Sequence, residues 1–135
     1  MKTTVHTDRA PKAIGPYSQA VLHEAGGVRT LYCAGQIALD PATMEIVAGD
    51  ARAHADRVMR NIEAVLAAGG MGFGDVVRTT IYLADLADFA AVNEVYGSRF
   101  PASPPPRSTV QVAALPRGSR VEIEVMAVRD APAGA

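Results

Sequence analysis

Apolar residues recur along this chain with two different periods. From Ala55 through Val58, Met59, Ile62, Val65 and Leu66 the steps are three and one, which places them on one stripe of a helix; Arg52, Asp56, Arg57, Arg60 and Glu63 lie off it. Asp50 stands where an N-cap belongs, and Gly69-Gly70 ends the run. His54 falls on the solvated side of this reading. Elsewhere the period is two. Val77, Thr79, Ile81 and Leu83 alternate with Val76, Arg78, Thr80 and Tyr82, and Val121, Ile123 and Val125 alternate with Arg120, Glu122 and Glu124. Each is the pattern of a half-buried strand. Further strands are expected from Thr3 to His6, Tyr17 to His23, Val28 to Ile37 and Ser108 to Leu115, with Gly26-Gly27 as a hairpin turn. A second helix starts at Asp85 or Asp88, with Phe89, Val92 and Tyr96 on its apolar side and Asn93 beside them.

The order is strand, strand, strand, helix, strand, helix, strand, strand, which predicts an α+β fold in which two helices cover one face of a single sheet. Pro116-Arg117-Gly118 reads as a turn that folds the last strand back, antiparallel, on the one before it. In that register Glu122 lies across from about Val112, roughly 17 Å along the strand from Arg107. Val110, Val112, Ile123 and Val125 give the uncovered face an apolar part, and such a face predicts self-association. The domain is expected to span 1–130, with 131–135 as a frayed tail.

Composition narrows the classes. At 135 residues, 49% hydrophobic and 20% charged, the chain is long enough for one ordinary core. Thirteen basic residues face fourteen acidic ones, so no overall field draws nucleic acid, and Trp is absent. No signal-like or membrane-spanning apolar run occurs, and the cytoplasm is the default expectation. The single Cys33 reads as a core residue. None of the three His has a partner at metal-ligand spacing, and neither metal nor cofactor is expected.

Nucleotide, dinucleotide, serine-hydrolase and zinc motifs are all missing. What carries chemistry is sparser. Pro104-Pro105-Pro106 holds Arg107 in a stiff, extended entry to a strand, where a planar guanidinium fork suits a planar anion. Gly35 interrupts a strand, which marks a bulge or a place of close approach. Glu122 sits on the last strand, and Tyr17 follows Gly15-Pro16.

Several segments in the same order resemble the Rid family, also called YjgF-type, of reactive imine and enamine deaminases. They are Ile14-Gly15-Pro16-Tyr17-Ser18-Gln19-Ala20, Ala34-Gly35-Gln36-Ile37, Asn61 with its helix, Asp75 to Leu83, Asp88 to Asn93, Pro106-Arg107-Ser108, and Val121-Glu122-Ile123-Glu124. The resemblance runs nearly end to end. It implies a chorismate-mutase-like α+β domain, a homotrimer with clefts between subunits, and hydrolysis of 2-imino acids, tautomers of enamines such as 2-aminoacrylate, to 2-keto acids and ammonia. It also implies the site: Arg107 as carboxylate anchor, Glu122 as the group that activates water, Tyr17 closing the pocket, and Gly35, Asn93 and Thr109 lining it. Thr109 stands where many deaminase members carry Cys. The same resemblance admits an endoribonuclease-type translation inhibitor, a chaperone-like or ligand-sensing regulator, and a pathway-specific deaminase of the aminomuconate type.

Overall fold

A computed structural model describes residues 1–132. Eight main elements follow one another: β1 (Lys2–Val5), β2 (Ala20–Ala25), β3 (Val28–Cys33), α1 (Ala51–Ala68), β4 (Val76–Leu83), α2 (Phe89–Gly97), β5 (Arg107–Gln111) and β6 (Val121–Asp130). The strands form one six-stranded sheet in the order β1-β2-β3-β6-β4-β5, so the last strand in sequence lies inside the sheet. Both helices lie on one face. The fold is α+β, as the alternation of periods predicts.

The helical stripe is buried as expected: Ala55, Val58, Met59, Ile62, Val65 and Leu66 pack against Leu31, Ile81, Val121, Ile123 and Val125 of the sheet. Asp50 caps α1, its Oδ1 accepting from the Ala53 N–H at 3.0 Å. Arg99 and Arg60 both reach Asp56, and Arg52 reaches Glu94, so ion pairs join α1 to α2 along their outer edge. Gly26 and Gly27 both take positive φ, 59° and 77°, as a tight two-residue hairpin requires. Cys33 packs against the core, and burial pushes its thiol pKa up to about 12, which leaves it inert as a nucleophile at neutral pH.

Four expectations are corrected. The two last strands do not form a hairpin: β5 pairs in parallel with β4, whereas β6 runs antiparallel between β3 and β4. Pro116–Gly118 is indeed a tight 3-10 turn, with Arg117 at φ 57°, but it delivers the chain to a different neighbour. The phase at the start of β4 is also shifted. Val76 pairs with Ala127 and Arg78 with Met126, so Val77 is the extra residue of a bulge; Val76 is buried and Val77 exposed. His54 is buried, not solvated. Finally, Ile123 and Val125 face the helices; the open face gets its apolar surface from Tyr32 and Val110, with half-buried Met126 and Val128 between β3 and β4.

Asp130 still belongs to β6, and the Ala131 N–H donates to Gly27 O at 2.9 Å, so the chain is paired further than expected. The remaining tail, 133–135, lies outside the described residues. Among the described residues no helix is long and apolar enough to cross a membrane.

Candidate active site

Beyond β3 the chain continues as an irregular segment stitched to β6. Gln36 and Ile123 exchange both backbone hydrogen bonds, N to O, at 2.9 and 3.1 Å. That pairing brings Gly35 against the side chain of Glu122: a Cβ at position 35 would lie 3.0 Å from Glu122 Cδ and 3.2 Å from Cγ, and would run into the carboxylate oxygen. Glycine is therefore required for Glu122 to occupy its place. The two residues share a cleft of about 400 Å³ with Ile14, Tyr17, Ile37, Leu39, Pro116 and Arg117. Burial, and after it the charge of Glu124, raises the Glu122 carboxyl pKa above its ordinary value.

The far wall of this cleft is a loop organised by Gln19. Its Nε2 donates to Thr7 O, Ala10 O and Pro11 O, at 2.9, 3.3 and 2.9 Å, and its Oε1 accepts from the Thr7 N–H at 2.7 Å. Gly15, at φ 114°, then turns the chain so that Tyr17 Oη accepts from the Ile14 N–H at 3.3 Å. Tyr17 thus stands half exposed at the cleft mouth. Asn61, wholly buried on α1, pins the near wall through Nδ2, which donates to Ile37 O at 3.2 Å and Leu39 O at 2.9 Å.

Arg107, Asn93 and Thr109 gather elsewhere. Arg107 opens β5 directly after the proline run, and its Nη1 donates to Asn93 Oδ1 at 2.8 Å. The guanidinium lies over the Tyr96 ring at 5.1 Å and the Phe89 ring at 5.6 Å. Among the described residues it forms no ion pair with a carboxylate. Its charge is therefore positioned by an amide and two rings and left uncompensated. Thr109, two residues on and on the same side of β5, has a buried Oγ1 with no hydrogen-bond partner.

The six residues read from the sequence thus fall into two groups of three. Arg107 pairs with Thr79 and Thr79 with Val125, three residues from Glu122, while β4 intervenes. Two strand spacings and three residues of offset separate the two Cα atoms by about 14 Å. Their side chains also leave opposite faces of the sheet, because Val125 is buried under the helices and Glu122 alternates with it. Phe89 and Tyr96, which in the sequence are simply the apolar side of a helix, are the bed of the guanidinium. Among the described residues no group of three or more His, Cys, Asp and Glu converges to hold a metal.

The chain belongs to the Endoribonuclease L-PSP family, whose model matches residues 7–129, and within it to the Rid proteins. Protein DfrA of Myxococcus xanthus is 61% identical over 127 residues, covering 94% of this chain and 95% of the relative. The human 2-iminobutanoate/2-iminopropanoate deaminase is 45% identical, covering 96% and 91%. Among solved structures, E. coli TdcF with bound serine superimposes with a TM-score of 0.86 at 41% identity, covering 95% of this chain and 99% of that one. RidA from an Antarctic Psychrobacter gives 0.84 at 45%, covering 93% and 98%.

Proposed function

We propose that this protein is a 2-iminobutanoate/2-iminopropanoate-type deaminase, a cofactor-independent hydrolase that converts reactive 2-imino acids to 2-keto acids and ammonia. The observation that carries the reading is the pair of complementary half-sites: a guanidinium fork with no carboxylate partner among the described residues, and a carboxylate held beside glycine in a largely apolar cleft. The named deaminases among the relatives, and the serine bound by TdcF, support a small ligand bearing a carboxylate.

The substrate carboxylate lies on the free N–H groups of Arg107, which fixes the imine carbon in place. Glu122 takes a proton from a water as its oxygen bonds to the carbon of the protonated imine and the C=N π electrons move to nitrogen, giving a neutral carbinolamine. It then passes that proton to the nitrogen; the C–N bond breaks with its electrons on nitrogen, ammonia leaves, and the remaining hydroxyl becomes the keto oxygen as its proton returns to the Glu122 carboxylate and from there to solvent. A carboxyl pKa raised by burial suits a group that must both accept and return a proton. Since Arg107 and Glu122 of one chain lie far apart on opposite faces, the reading includes a homotrimer in which Arg107 of one copy meets Glu122 of the next. The open face bearing Tyr32 and Val110 is the surface available for that assembly.

The test is release of keto acid and ammonia from imines generated in place by an amino-acid oxidase. Arg107→Lys keeps the charge and loses the fork, and should lower kcat/KM by an amount equivalent to about 2–5 kcal/mol. Glu122→Gln should lower turnover by roughly 10²–10⁴ while a keto acid still binds. A protein that binds keto acids with no turnover at all would be a ligand-sensing member instead.

A further inference from the structure

Besides the loop that carries Tyr17, the Glu122 cleft is walled by two segments far apart in sequence, 34–39 and 116–122, and three buried polar side chains pin these two from behind. Asn61 holds Ile37 and Leu39. Ser119 Oγ accepts from the Ala38 N–H at 3.1 Å and donates to Val121 O at 2.8 Å. His54 Nδ1 accepts from the backbone N–H of Arg120 at 3.1 Å, two residues ahead of Glu122. Of the three, only the histidine titrates near physiological pH.

We infer that His54 is a positioning residue for the reaction proposed above: in its neutral state it grips the backbone entering β6 and so holds Glu122 in the cleft. The inference rests on the deaminase reading for its kinetic consequence, though not for the grip itself. A protonated imidazole carries N–H on both nitrogens and cannot accept. Acid would then set a donor against the Arg120 N–H in a buried place, an arrangement that must open.

The surroundings keep the ring neutral at ordinary pH. The backbone carbonyl of Val47 also lies beside the ring, and the Val47 N–H donates to Ala38 O at 3.0 Å. The charged groups around it are Arg120 at the entry to β6, Asp50 at the start of α1, and Asp88 just before α2. The Arg120 guanidinium is itself forked on Asp88, at 3.0 and 2.9 Å. Burial, with the Arg120 charge, depresses the His54 pKa below its ordinary value of 6.5 against the opposing pull of the Val47 carbonyl and the two aspartates.

Two ionisations should therefore shape the acid limb of activity: Glu122 losing its function as a base, and His54 losing its grip. Glutamine at position 54 offers an acceptor and a donor but does not titrate. His54→Gln should keep kcat within about twofold of the wild type near pH 7.5, and its rate should fall about tenfold per pH unit in acid where the wild type falls about a hundredfold. His54→Leu, which removes the acceptor of the Arg120 N–H, should lower kcat by about 10- to 100-fold with KM little changed, the scale of a misplacement of about 1 Å. If that variant does not fold, the Gln comparison decides alone. Hydrogen exchange of the Arg120 amide, corrected for its intrinsic rate, reads the grip without turnover: protection should collapse in acid in the wild type and persist in His54→Gln. Superimposable acid limbs in wild type and His54→Gln, with pH-independent protection of Arg120, would overturn the inference. Should the wild type release no keto acid, the deaminase reading falls, and the Arg120 amide still decides whether His54 holds β6.

Discussion

A methyl group at position 35 would occupy space now held by the Glu122 carboxylate. Because the displaced atoms are the far end of a flexible side chain, Gly35→Ala should fold, with Glu122 swung away from the water it is to activate. We expect turnover about 10²-fold lower, the usual cost of misplacing a catalytic group by about 1 Å, while the melting temperature moves by only a few degrees, as for a change of about 1 kcal/mol or less. Parallel kinetics and melting curves on the one variant check this; full activity would show that Glu122 is not held by its neighbour at 35. Arg107 presents the complementary case. Its position depends on Asn93, Tyr96 and Phe89 of α2 rather than on a counter-charge, so the fork stays available to a ligand.

At the scale of elements, the register between the 34–39 segment and β6 decides where Glu122 points, and Ser119 is one of its fasteners. Ser119→Ala leaves the wholly buried Ala38 N–H without an acceptor and should destabilise the fold by about 1–3 kcal/mol. An unchanged urea midpoint would show that the Gln36–Ile123 pairing holds the register unaided. Much of this scale was legible in the sequence. The stripe from Ala55 to Leu66 and the Asp50 cap are local patterns, and both helices and all six strands lie close to where periodicity puts them. What escaped depends on partners remote in the chain. Pro116-Arg117-Gly118 looks the same whether the next strand returns to its predecessor or crosses to β3 and β4, and nothing local announces that β5 pairs in parallel with β4. One bulged residue, Val77, reverses the phase before it. His54 reads as solvated because its cover is the entry to β6, sixty-six residues away. Of the site, the chain pattern singled out Arg107, Gly35, Glu122 and Tyr17, and resemblance supplied their roles together with Asn93 and Thr109; Glu122, Gly35 and Tyr17 share the cleft. Phe89 and Tyr96 were hidden among the apolar positions of a helix.

At the scale of the whole molecule, the separation of Arg107 from Glu122 makes the proposed site a property of the assembly. Arg107→Ala and Glu122→Gln chains, unfolded together and reassembled, should recover activity that neither parent has, since a mixed interface can join an intact Arg to an intact Glu. Mass measurement establishes that mixed trimers form; mixed trimers without recovered activity would place both residues in one chain's site. The position of β6 has a consequence for how such a chain is made. During synthesis β3 and β4 leave the ribosome long before the strand that joins them, and until Val121 to Asp130 follows, each has a bare edge with nothing to bond. Until β6 follows, β1-β2-β3 on one side and β4 with β5 on the other are two unfinished half-sheets, and their vulnerability to mispairing ends only when β6 slides between them.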